Sequence, residues 1–406
     1  MSDRQPVMAF DTADRTFVAH PWEVYEQIRA AGGVMFNPTV NRWMVTGYQS
    51  VRELLTHPEQ FGSERGLVEQ AALFGGPTME FYDSPHHDGI RSIWSHDFRP
   101  RALESWRPLI TEMVRKQVDP AAERLRQGGR VELVSEVTRA IPTLVIARMI
   151  GVDDAMVDRF SAWSDAIGAS AQGYTSPGEH GQALIANGKA ATAELNDYLR
   201  TQLSAKRCPS QGGHDGLLAA MLQHEYACSH MTEQEIVANN TQLVFAGNET
   251  TAKLMAQCLV TLAQHPDQRH AIAADPNLVA AAVEEVHRHE TISHSIFRDA
   301  VGEQNIGGHT IPDGDRVTLL LGAANRDPHR WERPADFDIH RKRLPHIGFA
   351  FGMHSCLGMN LARLEAQIFL SEWISAISDW SIEGSVDYGT NYAVRGPMRV
   401  VVRSDS

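Results

Sequence analysis

Residues 346–358 read HIGFAFGMHSCLG, and the strongly helix-forming run MNLARLEAQIFL follows at once. One cysteine, Cys356, sits among Phe349, Gly352, His354 and Gly358. Glycines in such a turn let backbone approach a large planar ligand. A cysteine just ahead of a helix faces the positive end of that helix, which favours the thiolate, the form that ligates metal. Exposed amides of the turn are placed to hydrogen-bond the sulfur. Two other readings use the same residues. One is a buried structural cysteine, and the other is a zinc site from His346, His354 and Cys356, which lacks a fourth ligand.

Outward from this loop, the chain is 406 residues long, with 43% hydrophobic and 21% charged residues and a net charge of −13. A negative surface argues against nucleic-acid binding, which needs a basic face. The first residues show no basic stretch followed by an apolar run, and no segment approaches the length of a membrane helix. A cytoplasmic protein without a membrane segment is expected. Cysteines 208, 228, 258 and 356 form no CxxC pair and no disulfide framework. Cys258 falls in an apolar helical run and reads as core.

Helical periodicity dominates, over 22–31, 50–57, 103–126, 134–150, 155–170, 179–204 and 276–289. Strand-like runs are short: 42–46, 305–311, 316–321 and 398–402. Residues 208–215 (CPSQGGHD) read as a surface loop, and 62–76 as an irregular loop over a pocket. The segment 233–265 predicts one long helix, opened by a Thr232/Glu235 capping box and closed by Pro266. At 1.5 Å per residue it spans about 50 Å. Its middle, Ala246-Gly247-Asn248-Glu249-Thr250, is polar and contains glycine, which is locally unfavourable and marks a functional site.

The cysteine loop resembles the haem-binding loop of the cytochrome P450 family, FxxGxxxCxG, through Phe349, Gly352, Cys356 and Gly358. Ala350 departs from a frequent glycine and is expected to be tolerated unless a positive φ is needed there. Glu285 and Arg288 resemble the family's ExxR pair, with Arg341 as the implied third member. His87 and Arg91, with Arg298 and His354, match the family's contacts to the haem propionates. The long-helix motif resembles the oxygen-activation motif. There Ala246 and Gly247 leave room beside the iron, Thr250 donates the hydrogen bond and Glu249 relays protons. The resemblance covers about residues 80–400. It departs again after the ExxR pair, where HETISHSIFR lacks a common proline.

The resemblance implies a mainly α fold with small β-sheets, an α-helical prism enclosing haem, as a single domain over 1–406. It implies haem b (iron protoporphyrin IX) on the Cys356 thiolate. The implied activity inserts one oxygen atom of O2 into a small or medium hydrophobic substrate. A peroxide-driven haem enzyme and a non-catalytic haem sensor are the alternatives. No GxGxxG fingerprint appears, so electrons are expected from a ferredoxin or flavodoxin fed by an NAD(P)H-dependent reductase. Arg99, Arg101, Arg115, Lys116 and Arg363 are candidates for its docking patch. The pocket is expected to draw on Leu73, Phe74, Met79, Leu243 and Val244, and from the later chain on Ile292, His294, Ile296, Tyr392 and Val394.

Overall fold

A computed structural model describes residues 6–152, 154–173, 178–206 and 216–405. The expected loop 208–215 lies outside these residues, and Cys208 with it. Ten helices frame the interior: α1 (Trp22–Ala30), α2 (Leu67–Phe74), α3 (His86–Trp94), α4 (Arg107–Arg126), α5 (Ala140–Ile150), α6 (Val157–Gly173), α7 (Gly178–Lys206), α8 (Glu233–Gln264), α9 (Val279–Glu290) and α10 (Met359–Ala376).

The long helix α8 is the axis. Its capping box forms as read from the sequence: the Glu235 amide donates to Thr232 Oγ1 at 3.2 Å, and the Thr232 amide to Glu235 Oε2 at 2.8 Å. From Thr251 to Leu262 every residue is buried, so this half carries core on all sides, as a central helix must. α5, α7, α9 and α10 pack around it. Its polar residues are tied down individually: Asn248 Nδ2 donates to Ser164 Oγ on α6 at 2.7 Å. One large apolar cluster joins these helices.

A five-stranded sheet packs beside the helices in the order β1 (Val34–Asn37), β2 (Arg42–Val45), β8 (Arg316–Leu319), β5 (Ile296–Ala300) and β3 (Phe61–Gly62). β2 and β8 are parallel, with Trp43 opposite Val317, and the other pairs are antiparallel. A second sheet runs β4 (Arg130–Glu132), β10 (Arg399–Ser404), β9 (Trp380–Asp387). The run read as one strand over 305–311 is instead a hairpin, β6 (Gln304–Ile306) and β7 (His309–Ile311), turned by Gly307 and Gly308, both at positive φ. The segment 62–76, read as an irregular loop, contains β3, a short 3-10 turn and α2. Where the common proline is missing, Thr291 ends α9 at φ 40°. Its hydroxyl donates to Arg288 O at 2.9 Å and accepts from Asn325 Nδ2 at 2.9 Å.

Candidate active site

The Cys356 loop is a chain of tight turns. Gly352 has φ 75°, and a Cβ there would lie 2.7 Å from Leu55 O, so only glycine fits. Ala350 adopts φ 57° without being glycine. The Cys356 amide donates to Phe349 O at 2.9 Å, folding the loop back on itself. Phe349 is clamped between the Arg363 guanidinium, 4.6 Å from its ring centre, and the His287 ring at 4.3 Å. Gly358 opens α10, and a Cβ there would meet nothing within 4 Å.

Cys356 has accessible surface, yet protein encloses its thiol. Its accessible face therefore opens onto an internal cavity. Burial pushes the thiol pKa up, against the Gly358 amide, Arg91 and Arg363, which favour the thiolate. The expectation that the helix terminus and turn lower this pKa is thus reversed, because desolvation outweighs them. A metal ion reverses the balance again, since a coordinating thiol is deprotonated.

One wall of the cavity gathers residues far apart in sequence. The His87 and His354 rings lie 4.5 Å apart, and Arg91 Nη2 is 3.4 Å from Ser355 Oγ, beside the cysteine. His354 Nε2 lies 3.3 Å from Asp83 Oδ1, and Asp83 acts electrostatically on the buried Arg298. Burial holds His87 below its usual value and brings His354 down to about 4, so both are neutral near pH 7. The cations of this wall are Arg91 and Arg298, and the imidazoles are neutral hydrogen-bonders. His86, the chain neighbour of His87, serves structure: its ring nitrogens lie 2.7 Å from Tyr226 Oη and 3.0 Å from Glu235 Oε1, pinning α3 to α8.

The opposite wall is one face of α8. Ala246 is exposed in the middle of the helix, with Phe245, Gly247, Glu249 and Thr250 half-buried around it, so this face borders the cavity. Thr250 Oγ1 donates back to Ala246 O at 2.9 Å. Glu249 pairs with Lys253, Oε1 to Nζ 2.7 Å, and the buried lysine donates to Val394 O at 2.7 Å. Gly396 makes room for that lysine, since a Cβ there would lie 2.6 Å from Lys253 Cβ. Gly247 turns elsewhere: a Cβ would make ordinary contact with Ile146 of α5 at 3.6 Å, so helix packing does not require glycine here.

The residues expected to line the pocket divide. Leu73, Met79, Ile296 and Val394 keep accessible surface. Phe74, Leu243, Val244 and Ile292 are buried in the apolar cluster. His294 is fully buried behind the wall, with Nδ1 2.9 Å from Tyr25 Oη, and Tyr392 packs on Phe17 at 6.1 Å. Helix phase explains the split on α8, because Val244 lies about 200° around the axis from Ala246. Reasoning from the sequence missed Glu80, which is accessible yet enclosed, accepts from Gln242 Nε2 on α8 and acts electrostatically on the Cys356 thiol. A lone carboxylate between Met79 and Phe81 was its signal.

Behind the cysteine loop, Glu285 and Arg288 pair at 2.7 Å with side-chain exposures of 7% and 2%, so they are no surface pair. Arg341 Nε joins Glu285 Oε1 at 3.0 Å. Arg288 also donates to the carbonyls of Asn325, Pro334 and Asp336 at 2.9–3.1 Å. The zinc reading fails geometrically: His346 turns to Glu284 at 3.2 Å and His354 to Asp83, and no metal-binding cluster forms among the described residues. Of the docking candidates, Arg115 is paired with Glu372 and Arg363 with Glu284. Arg99, Arg101 and Lys116 remain exposed.

The donor set fits haem. One soft sulfur faces the cavity, two guanidiniums and two imidazoles share one wall, and the missing Gly358 side chain leaves open space beside the sulfur. The sequence matches the family described as Cytochrome P450 over residues 20–378. It is 31% identical over 376 residues to the putative cytochrome P450 YjiB of Bacillus subtilis (strain 168), covering 91% of this chain and 92% of that one. It is 31% identical over 409 residues to the cytochrome P450 monooxygenase PikC of Streptomyces venezuelae, covering 98% and 94%. Among solved structures, CYP109E1 from Bacillus megaterium in complex with testosterone superposes with a TM-score of 0.86 at 26% identity, covering 97% of this chain and 100% of that one. The loop, the two walls and these likenesses agree: the chain belongs to the cytochrome P450 family, a haem-b monooxygenase that takes its electrons from an external donor.

Proposed function

We propose that the Cys356 thiolate would hold the haem iron, that Arg91, Arg298, His87 and His354 would hold the propionates, and that Thr250 and Glu249 would manage the protons of the reaction. The observation that carries this is the convergence on Cys356 of residues far apart in sequence: Arg91 Nη2 lies 3.4 Å from Ser355 Oγ, and Arg91, Arg363 and Glu80, which accepts from Gln242 Nε2 on α8, act electrostatically on its thiol. When bound, haem supplies the activation of O2 and the transfer of one oxygen atom to the substrate.

The protein's own part is proton handling and exclusion of water. The Thr250 hydroxyl sits beside the accessible Ala246, with its oxygen 2.9 Å from the Ala246 carbonyl. Rotation from that carbonyl turns its proton toward the cavity. Glu249 is held by Lys253 at 2.7 Å and stands next in the relay. The apolar residues with accessible surface, Leu73, Met79, Ile296 and Val394, suit a hydrophobic substrate.

The electron donor we favour is a ferredoxin or flavodoxin fed by an NAD(P)H-dependent reductase, in the cytoplasm. Such donors are acidic, and exposed Arg99, Arg101 and Lys116 supply the complementary charge. Thr250→Ala tests the relay. Expected are a retained haem spectrum, continued NAD(P)H consumption, a several-fold lower product yield per NAD(P)H, and hydrogen peroxide making up the difference. An unchanged yield removes Thr250 from proton delivery.

A further inference from the structure

The two carboxylate oxygens of Glu249 have different surroundings. Oε1 is 2.7 Å from Lys253 Nζ, and the lysine side chain is 2% exposed. The same ammonium donates to Val394 O at 2.7 Å. A Glu249 that swung away would strand this buried cation without a counter-charge, which is strongly unfavourable. Glu249 is therefore a fixed station, and Oε2 is the oxygen left to exchange protons. Oε2 faces α6, where a Cβ on Gly168 would lie 3.4 Å from it. Asp165 stands three residues before Gly168, on the same face of α6. The two helices are pinned at this level by the 2.7 Å hydrogen bond between Asn248 and Ser164, the chain neighbours of Glu249 and Asp165.

Asp165 is open to solvent on its other side, with a side chain 43% exposed. Burial first, and then Glu249, push its pKa up, against Arg139, which lies 3.4 Å away just ahead of α5. A carboxyl shifted in this direction keeps its proton closer to neutral pH, where it can pass it on. We propose that Asp165 is the group through which protons enter the relay, handing them to Glu249 Oε2 along the seam between α6 and α8. This assignment rests on the reading of Glu249 and Thr250 as the proton relay. In each transfer a solvent hydronium gives a proton to the Asp165 carboxylate and becomes water. Asp165 gives that proton to Glu249, and Glu249 gives it toward Thr250. Protons alone move, and each carboxylate ends as it began.

The test is turnover of 7-ethoxycoumarin by the holoenzyme, driven by a ferredoxin and its reductase, in normal and heavy water. Asp165→Asn should lower kcat several-fold and enlarge the solvent isotope effect, with the haem spectrum intact and KM within about twofold. Asp165→Glu should restore both. Arg139→Gln breaks the ion pair but keeps the carboxyl, and should leave both near the wild type. In a Glu249→Gln background, Asp165→Asn should add nothing, because the two groups serve one path. Infrared titration gives a readout apart from activity. The carboxyl band absent from Asp165→Asn should titrate at lower pH in Glu249→Gln, since a negative neighbour is gone. An unchanged kcat and isotope effect in Asp165→Asn, the same loss in Arg139→Gln, or an unmoved infrared midpoint overturns the assignment. If Glu249→Gln slows turnover and Asp165→Asn does not, the entry group is wrong and the relay stands. If neither does, both fall.

Discussion

Ala350 shows how one residue can carry strain that composition does not reveal. Its φ of 57° is a left-handed conformation, which costs a residue with a Cβ about 1 kcal/mol. The sequence marks the position as unusual, but whether alanine is strained there depends on a torsion angle that only the folded loop defines. Relief of about 1 kcal/mol of strain is set against roughly 0.4–1 kcal/mol of added unfolded-state entropy, so Ala350→Gly should leave stability unchanged or raise it by a few tenths of a kcal/mol. Thermal unfolding of the holoenzyme checks this, and a lowered midpoint contradicts the strain. The same scale separates Val244 from Ala246. Both are small apolar residues of one helix, and only the phase of α8 against its neighbours puts one in core and the other on the cavity.

Among elements, Glu285, Arg288 and Arg341 tie α9 to the segment 325–341 that precedes the cysteine loop. Glu285 accepts from both arginines and from the Asp338 amide at 3.1 Å. Glu285→Ala leaves two guanidiniums in a buried site without their carboxylate, so a loss of about 3–5 kcal/mol is expected, with reduced haem retention. Denaturant unfolding and haem content per protein measure both, and a loss below about 1 kcal/mol would mark the pair as dispensable. This tie and the cysteine loop were legible in the sequence because a Glu–Arg pair at helical spacing and a glycine-flanked cysteine are demanded by chemistry. The long α8 was legible from its cap and its unbroken periodicity. Strands β1, β5 and β9 were not. Each is defined by its pairing with a later strand, as when Val34 in β1 lies opposite Val45 in β2 and Ile296 in β5 opposite Leu319 in β8. Local pattern carries little of that information.

At the scale of the whole molecule, buried ionisable groups set the response to pH. His287 packs against Phe349 and His346 with both ring nitrogens lacking hydrogen-bond partners, and burial brings its pKa down to about 3. The unfolded chain takes up this proton below about pH 6.5, while the folded chain resists until about 3. Stability therefore falls as pH drops through that window, by up to about 1.4 kcal/mol per pH unit from this group alone. Glu284 and Glu290, whose carboxylates are held low against burial by histidine and arginine neighbours, add a loss of the same sign at lower pH. Glu365, raised by burial, acts oppositely and weakens the fold as pH rises above the ordinary carboxylate range. His287→Leu should raise the unfolding midpoint and flatten its fall between pH 6 and 4, and an unchanged slope would contradict this. All of this surrounds the bond proposed between the Cys356 sulfur and the haem iron, and the carbon-monoxide difference spectrum of the reduced protein reads that bond directly. The wild type should show the long-wavelength band of thiolate ligation and Cys356→Ala should lose it; the same band in both proteins would contradict the account.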